Sequence, residues 1–121
     1  MEAKRLSYGE GRFLDLIWDN EPVPSGRLVE LCREKLGWKK STTYTRLRLL
    51  VEKGFVKNED TVVTSLLSRK EVQASESAYV VAETFSGSLP AFLAAFASRK
   101  PLSADEVDEI QTLIDSFREG R

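Results

Sequence analysis

The chain has 121 residues, 41% of them apolar and 31% charged, with a formal net charge of −1; that suits one compact unit or two small ones. It has no histidine and a single cysteine, which excludes Ser-His-Asp hydrolysis, a Cys/His zinc site within one chain and an intrachain disulfide. No apolar run approaches the roughly 20 residues needed to span a bilayer, and the start, Met1-Glu2-Ala3-Lys4-Arg5, lacks an apolar signal core, so a cytoplasmic protein without membrane insertion is expected.

The charge is unevenly divided. Residues 1–70 hold fourteen Lys/Arg against ten Asp/Glu, and residues 71–121 hold four against nine. A basic half that touches phosphate and an acidic half that stays off it is the simplest physical reading. Ser7 and Glu10 form a capping box that opens a helix carrying Phe13, Leu14, Ile17 and Trp18. Asp19-Asn20-Glu21-Pro22 stops it, and Pro22-Val23-Pro24 is short and extended. A second helix is predicted over Ser25–Leu36, packing through Leu28, Val29, Leu31, Cys32 and Leu36 and ended by Gly37. Cys32 reads as a small core residue. Trp38 stands in the following turn, where it is expected to lock the angle between the second and third helices.

The stretch from Ser41 to Gly54 is the centre of the reading. Thr43, Leu47, Leu50 and Val51 recur at helical spacing and make an apolar stripe. Thr42, Thr45, Arg46 and Leu49 fall on another side, and Gly54 supplies a left-handed stop. Short hydroxyls and a long cation at the N-terminal half, followed by Phe55-Val56, are the pattern of a winged helix-turn-helix reading helix. Thr42, Thr45 and Arg46 are the expected base contacts, since Arg can pair with guanine and Thr can offer a hydroxyl or methyl to base edges. Lys39, Lys40, Ser41, Tyr44, Arg48 and Lys53 are the expected phosphate contacts. Residues 39–57 hold six Lys/Arg and one acid, a poor match for a merely solvated face.

Phe55-Val56-Lys57, a turn at Asn58-Glu59-Asp60, and Thr61 to Leu66 predict a hairpin that serves as the wing. Acids at its tip are poor phosphate ligands, so the wing is expected to bind less than the helix. Ser68-Arg69-Lys70-Glu71 is a second capping box. It opens a helix with Ala74, Ala78, Val81, Ala82 and Phe85 at helical spacing. Ser86-Gly87-Ser88 breaks it before a short helix with Leu89, Phe92, Leu93 and Phe96. Ser103-Ala104-Asp105-Glu106 is a third box, opening a helix with Val107, Ile110, Leu113, Ile114 and Phe117. Its acidic start reflects the helix dipole, not a metal site or a catalytic carboxylate pair. Three amphipathic helices in about 50 residues are near the size limit for an independent core. Pairing with a second copy solves that, and Tyr79, Phe85, Leu89, Phe92, Phe96, Ile110, Leu113, Ile114 and Phe117 are the expected dimer interface. A two-fold protein also suits a palindromic DNA site.

These residues resemble the penicillinase-repressor (BlaI/MecI/CopY) family of bacterial transcription regulators, over nearly the whole chain. The resemblance is carried by the aromatic-rich end of the first helix, Phe13 to Trp18, and by Trp38. It continues through Thr42-x-x-Thr45 with Leu50 to Gly54, and through Phe92 to Ala97 followed by Leu102-Ser103-Ala104-Asp105-Glu106. It implies a repressor acting at a palindromic operator on double-stranded DNA, of β-lactam-resistance-type genes. It also implies a membrane-anchored metalloprotease sensor as a partner, cutting at the matching bond Ala95-Phe96. The family's Asn before that Phe is Ala95 here. The family's Arg before the Leu matching Leu50 is Leu49 here, and either Arg46 or Arg48 can take its place. The Cys-rich tail of copper-responsive members is missing from Ser116 to Arg121.

The expected architecture is mostly α with a small β wing: a winged helix-turn-helix domain over residues 1–68, then a three-helix dimerisation domain over 69–121. No cofactor, metal or catalytic residue is expected. The alternative function is a winged-helix module that docks a protein without binding DNA.

Overall fold

All three sequence capping boxes form. Ser7 N donates to Glu10 Oε1 at 3.0 Å while Glu10 N donates to Ser7 Oγ at 3.2 Å, which starts α1 (Tyr8–Asn20). The same reciprocal pair joins Ser68 to Glu71 and Ser103 to Glu106, starting α4 (Arg69–Thr84) and α6 (Ala104–Arg118). Each box satisfies two backbone N–H groups that a helix start otherwise leaves open. Ser88 caps α5 (Leu89–Arg99) by accepting from Ala91 N at 3.1 Å. These bonds belong to a computed structural model that describes residues 6–120; residues 1–5, with the start read above as lacking a signal core, and residue 121 lie outside it.

Between these elements lie α2 (Ser25–Leu36) and α3 (Lys40–Lys53), each closed by a glycine in the left-handed region, Gly37 at φ 70° and Gly54 at φ 85°. The extended Pro22-Val23-Pro24 segment contributes a strand, β1 (Val23–Pro24), that sequence patterning left unpaired. It joins β2 (Val56–Glu59) and β3 (Val62–Ser65) in an antiparallel sheet of order β1-β3-β2, with Val23 opposite Val63 and Asn58 opposite Val63 on the other side. The wing's turn is also shorter than expected. Glu59 pairs with Val62, leaving only Asp60 and Thr61, both at positive φ (51° and 62°). A two-residue hairpin loop needs left-handed backbone at both positions to match the strand twist. Thr61 is β-branched and strained there, so Thr61→Gly is expected to raise stability by about 0.5–1 kcal/mol. Urea denaturation measures it, and an unchanged or lower midpoint refutes the strain.

The first helices pack as the 3.6-residue period requires. Phe13, Leu14 and Ile17 of α1 meet Leu28, Leu31 and Cys32 of α2, Leu47 and Leu50 of α3, Val23, Phe55, Val56 and Val63 of the wing region, and Val72 of α4. Burial pushes the Cys32 thiol up to about 11, against a weaker opposing pull from a Thr43 hydrogen bond, so the cysteine is an uncharged core residue as expected. Val51 departs from the expected stripe. It follows Leu50 by 100° around the helix and stays 39% exposed. Trp38 also reaches beyond the α2–α3 turn. Its ring meets Phe13 edge-on at 5.1 Å, so it fastens the α2–α3 turn to α1.

The chain parts into two compact units between Tyr79 and Val80, inside α4. The helix that begins at Arg69 therefore starts as part of the first unit, through Val72. Among the described residues, nothing after Val72 is buried, and no single helix is long and apolar enough to cross a membrane.

Candidate nucleic-acid interface

The α3 helix is held by its buried side, Thr43, Leu47 and Leu50. Thr43 further donates its hydroxyl to the Lys39 carbonyl at 3.3 Å. The opposite side follows from the spacing: Ser41, Thr45 and Arg48 recur at i, i+4 and i+7 and all are exposed, with Thr42 half-buried beside them. Lys39 and Lys40 are exposed at the helix start. No side chain caps that start, so its first N–H groups and the positive end of the helix dipole are open to a phosphate oxygen. Tyr44 is partly buried against the core.

Two of the cations expected to touch DNA are placed differently from the rest. Arg46 lies half-buried on the flank, with its guanidinium carbon 5.8 Å from the Trp38 ring centre. Lys53 sits on the same flank and sets its Nζ 3.0 Å from both carboxylate oxygens of Glu10. Burial alone would raise the Glu10 pKa. The Ser7 backbone hydrogen bond, Lys53 and the charge of Arg46 outweigh it and hold the carboxyl below its ordinary value. Lys53 thus clamps α3 to α1, and Arg46 ties it to the turn at Trp38. Among the described residues no carboxylate pairs with Lys39, Lys40 or Arg48. The positive field of α3 therefore concentrates on its N-terminal end and the outward side up to Arg48, since Glu52 stands one turn further on. On the wing, Lys57 is paired with Glu59 at 3.1 Å, which leaves the tip with Asp60 and no net attraction for phosphate.

In the second unit, Phe85 meets Phe92 edge-on at 5.4 Å, and Phe92 lies 6.4 Å from Phe96. Ile110 is half-buried, while Leu89, Phe96, Leu113, Ile114 and Phe117 are exposed, as is Val107. Tyr79 is half-buried and belongs to the first unit. Ala95 and Phe96 lie inside α5, whose hydrogen bonds enclose the bond between them.

The penicillinase repressor family pattern matches residues 6–116. The chain belongs to that family. It is accordingly a DNA-binding transcription regulator with a winged helix, not an enzyme. No curated protein matches it. A solved structure, Staphylococcus aureus MarR in complex with salicylate and kanamycin, is similar at 20% identity with a TM-score of 0.44, over 94% of this chain and 72% of that one.

In this penicillinase repressor family member, Glu10, Trp38 and Arg46 position α3 as much as the apolar stripe does. Sequence reading missed the Glu10–Lys53 pair because the partners are 43 residues apart. The one available signal was a carboxylate on the apolar side of α1, three residues before Phe13.

Proposed function

We propose that the chain represses transcription as a homodimer on a palindromic operator, with α3 in the major groove. The observation that carries this is the outward side of α3, where Ser41, Thr45 and Arg48 stand together opposite a buried stripe, with the acid Glu52 following one turn beyond Arg48 at the C-terminal end. In this reading Arg48, with Thr45 and Thr42, contacts base edges. Lys39, Lys40, Ser41 and the helix start hold phosphates. Arg46 moves from base reader to a support for α3, since its guanidinium stacks on Trp38. The acidic second unit and its exposed apolar side chains fit a dimer interface that keeps clear of the DNA.

The test is fluorescence anisotropy on the chain's own upstream region and on shuffled DNA across a salt series. Affinity should fall steeply with salt. Arg48→Ala should lose about 1–3 kcal/mol on the cognate site and relax its sequence preference, while Arg46→Ala should weaken all sequences equally. Equal loss everywhere for Arg48→Ala makes it a phosphate contact. Binding that ignores salt favours the protein-docking alternative.

Control of β-lactam-resistance-type genes and release by a membrane metalloprotease are finer extensions that the family suggests. The Ala95-Phe96 bond lies within α5, so a protease could cut it only after that helix opens locally.

A further inference from the structure

The segment leaving the wing is fastened at successive points to one element, the C-terminal half of α1. Glu21, at the end of α1, accepts from Ser65 N at 2.7 Å and from Ser65 Oγ at 2.9 Å. Trp18 donates its indole N–H to the Leu67 carbonyl at 3.0 Å. Arg69 brings Nε to 3.3 Å from Asp15 Oδ1 and Nη2 to 2.9 Å from Asp19 Oδ1, with its guanidinium carbon 5.1 Å from the Trp18 ring centre. Asp15, Trp18 and Asp19 are spaced i, i+3, i+4 and so share one side of α1.

Starting α4 needs none of the Arg69 contacts. The Ser68–Glu71 box nucleates it, and Val72 buries its first turn in the core. Exposed ion pairs of this kind add little to stability. What three contacts to one guanidinium do supply is direction, because a planar fork held at both ends and stacked on a ring cannot swivel as a single pivot can. The α4 helix runs from Arg69 to Thr84, past the division at Tyr79.

We propose that Arg69 is a spacing-determining residue: with Asp15, Asp19 and Trp18 it fixes the direction in which α4 leaves the DNA-binding unit, and so sets the distance between half-sites that the dimer accepts. The idea rests on the operator reading above. Arg69 acts through α4 and is a positioning residue, not a DNA contact.

The test uses the full chain and a panel of palindromes whose centre is lengthened or shortened by one or two base pairs, each of which also rotates a half-site by roughly 35°. Wild type should lose about tenfold in affinity per base pair off its optimum, because the DNA must twist or bend to compensate. Arg69→Ala should reduce that loss to about threefold while affinity for a single half-site stays within about twofold. Asp15→Asn combined with Asp19→Asn should do the same, and Arg69→Lys, which keeps the charge without the fork, should fall between. An unchanged optimum and steepness in both the Arg69→Ala and the double Asp variants overturns the proposal. If wild type itself binds two half-sites no better than one, the operator reading fails and the spacing role fails with it.

Discussion

Lys53→Ala should destabilise the fold by about 3 kcal/mol, and clearly more than Glu10→Gln, which should cost about 1 kcal/mol. Glu10 is only 3% exposed, and its carboxylate is served by Ser7 N and by Lys53. Removing the cation strands a buried charge. Neutralising the acid leaves an amide that still accepts from Ser7 N, while Lys53, a third exposed, turns to water. That partial exposure places the estimate at the low end of the range for broken buried pairs. The pH dependence has a definite sign. The Glu10 pKa is lowered in the fold, so its stabilisation is full above the unfolded value of about 4.3 and is lost as pH falls through the folded value. In Lys53→Ala burial is opposed only by the Ser7 bond and the charge of Arg46, so the Glu10 pKa rises relative to wild type and the deficit shrinks as acid protonates Glu10. Urea melts of both variants at pH 7 and pH 4 decide it. Equal cost for the two at pH 7 would sink the argument. The salt slope of DNA binding should be unchanged in Lys53→Ala, because Glu10 holds that ammonium.

Leu113→Asp and Phe117→Asp should each convert the dimer to monomer and lower operator affinity about a hundredfold or more, down to that of one half-site. Leu113 is 54% and Phe117 62% exposed in the single chain. A charge at either place can therefore keep to water in the single chain but is left desolvated in a pairing surface. Sedimentation velocity reads the oligomeric state, and an unmelted far-UV spectrum shows that the monomer is folded. Variants that remain dimeric place the interface elsewhere. Phe92 is the less clean probe, since it packs on Phe85 and Phe96 within its own unit.

The helices were legible because their signals are local. Ser7, Ser68 and Ser103 with a Glu three residues on, and Gly37 and Gly54 at the exits, act within one turn of chain. The fold class followed from the order of those elements. The reading side of α3 was only partly legible. Spacing put Thr42, Thr45, Arg46 and Leu49 on a common side, but which arc of the helix faces outward depends on what buries the other arc. Thr43, Leu47 and Leu50 turn Arg46 toward Trp38 and leave Arg48 outermost. The clamps were illegible for a related reason. Glu10–Lys53, Glu21–Ser65 and Asp19–Arg69 join residues more than 40 positions apart, and charged residues carry no period that announces a distant partner. The strand at Val23-Pro24 was hidden by its length and by Pro24, which can sit only at an edge.

Val72 is the last buried residue of the described chain, and in the proposed dimer the helices beyond it complete their packing against the partner. In a cell this ties repression to gene dosage. While the chains are few, paired protein rises with the square of their number, so promoter occupancy should switch over a narrow range of expression. A modest fall in synthesis or a modest rise in turnover would then be enough to derepress, without any ligand.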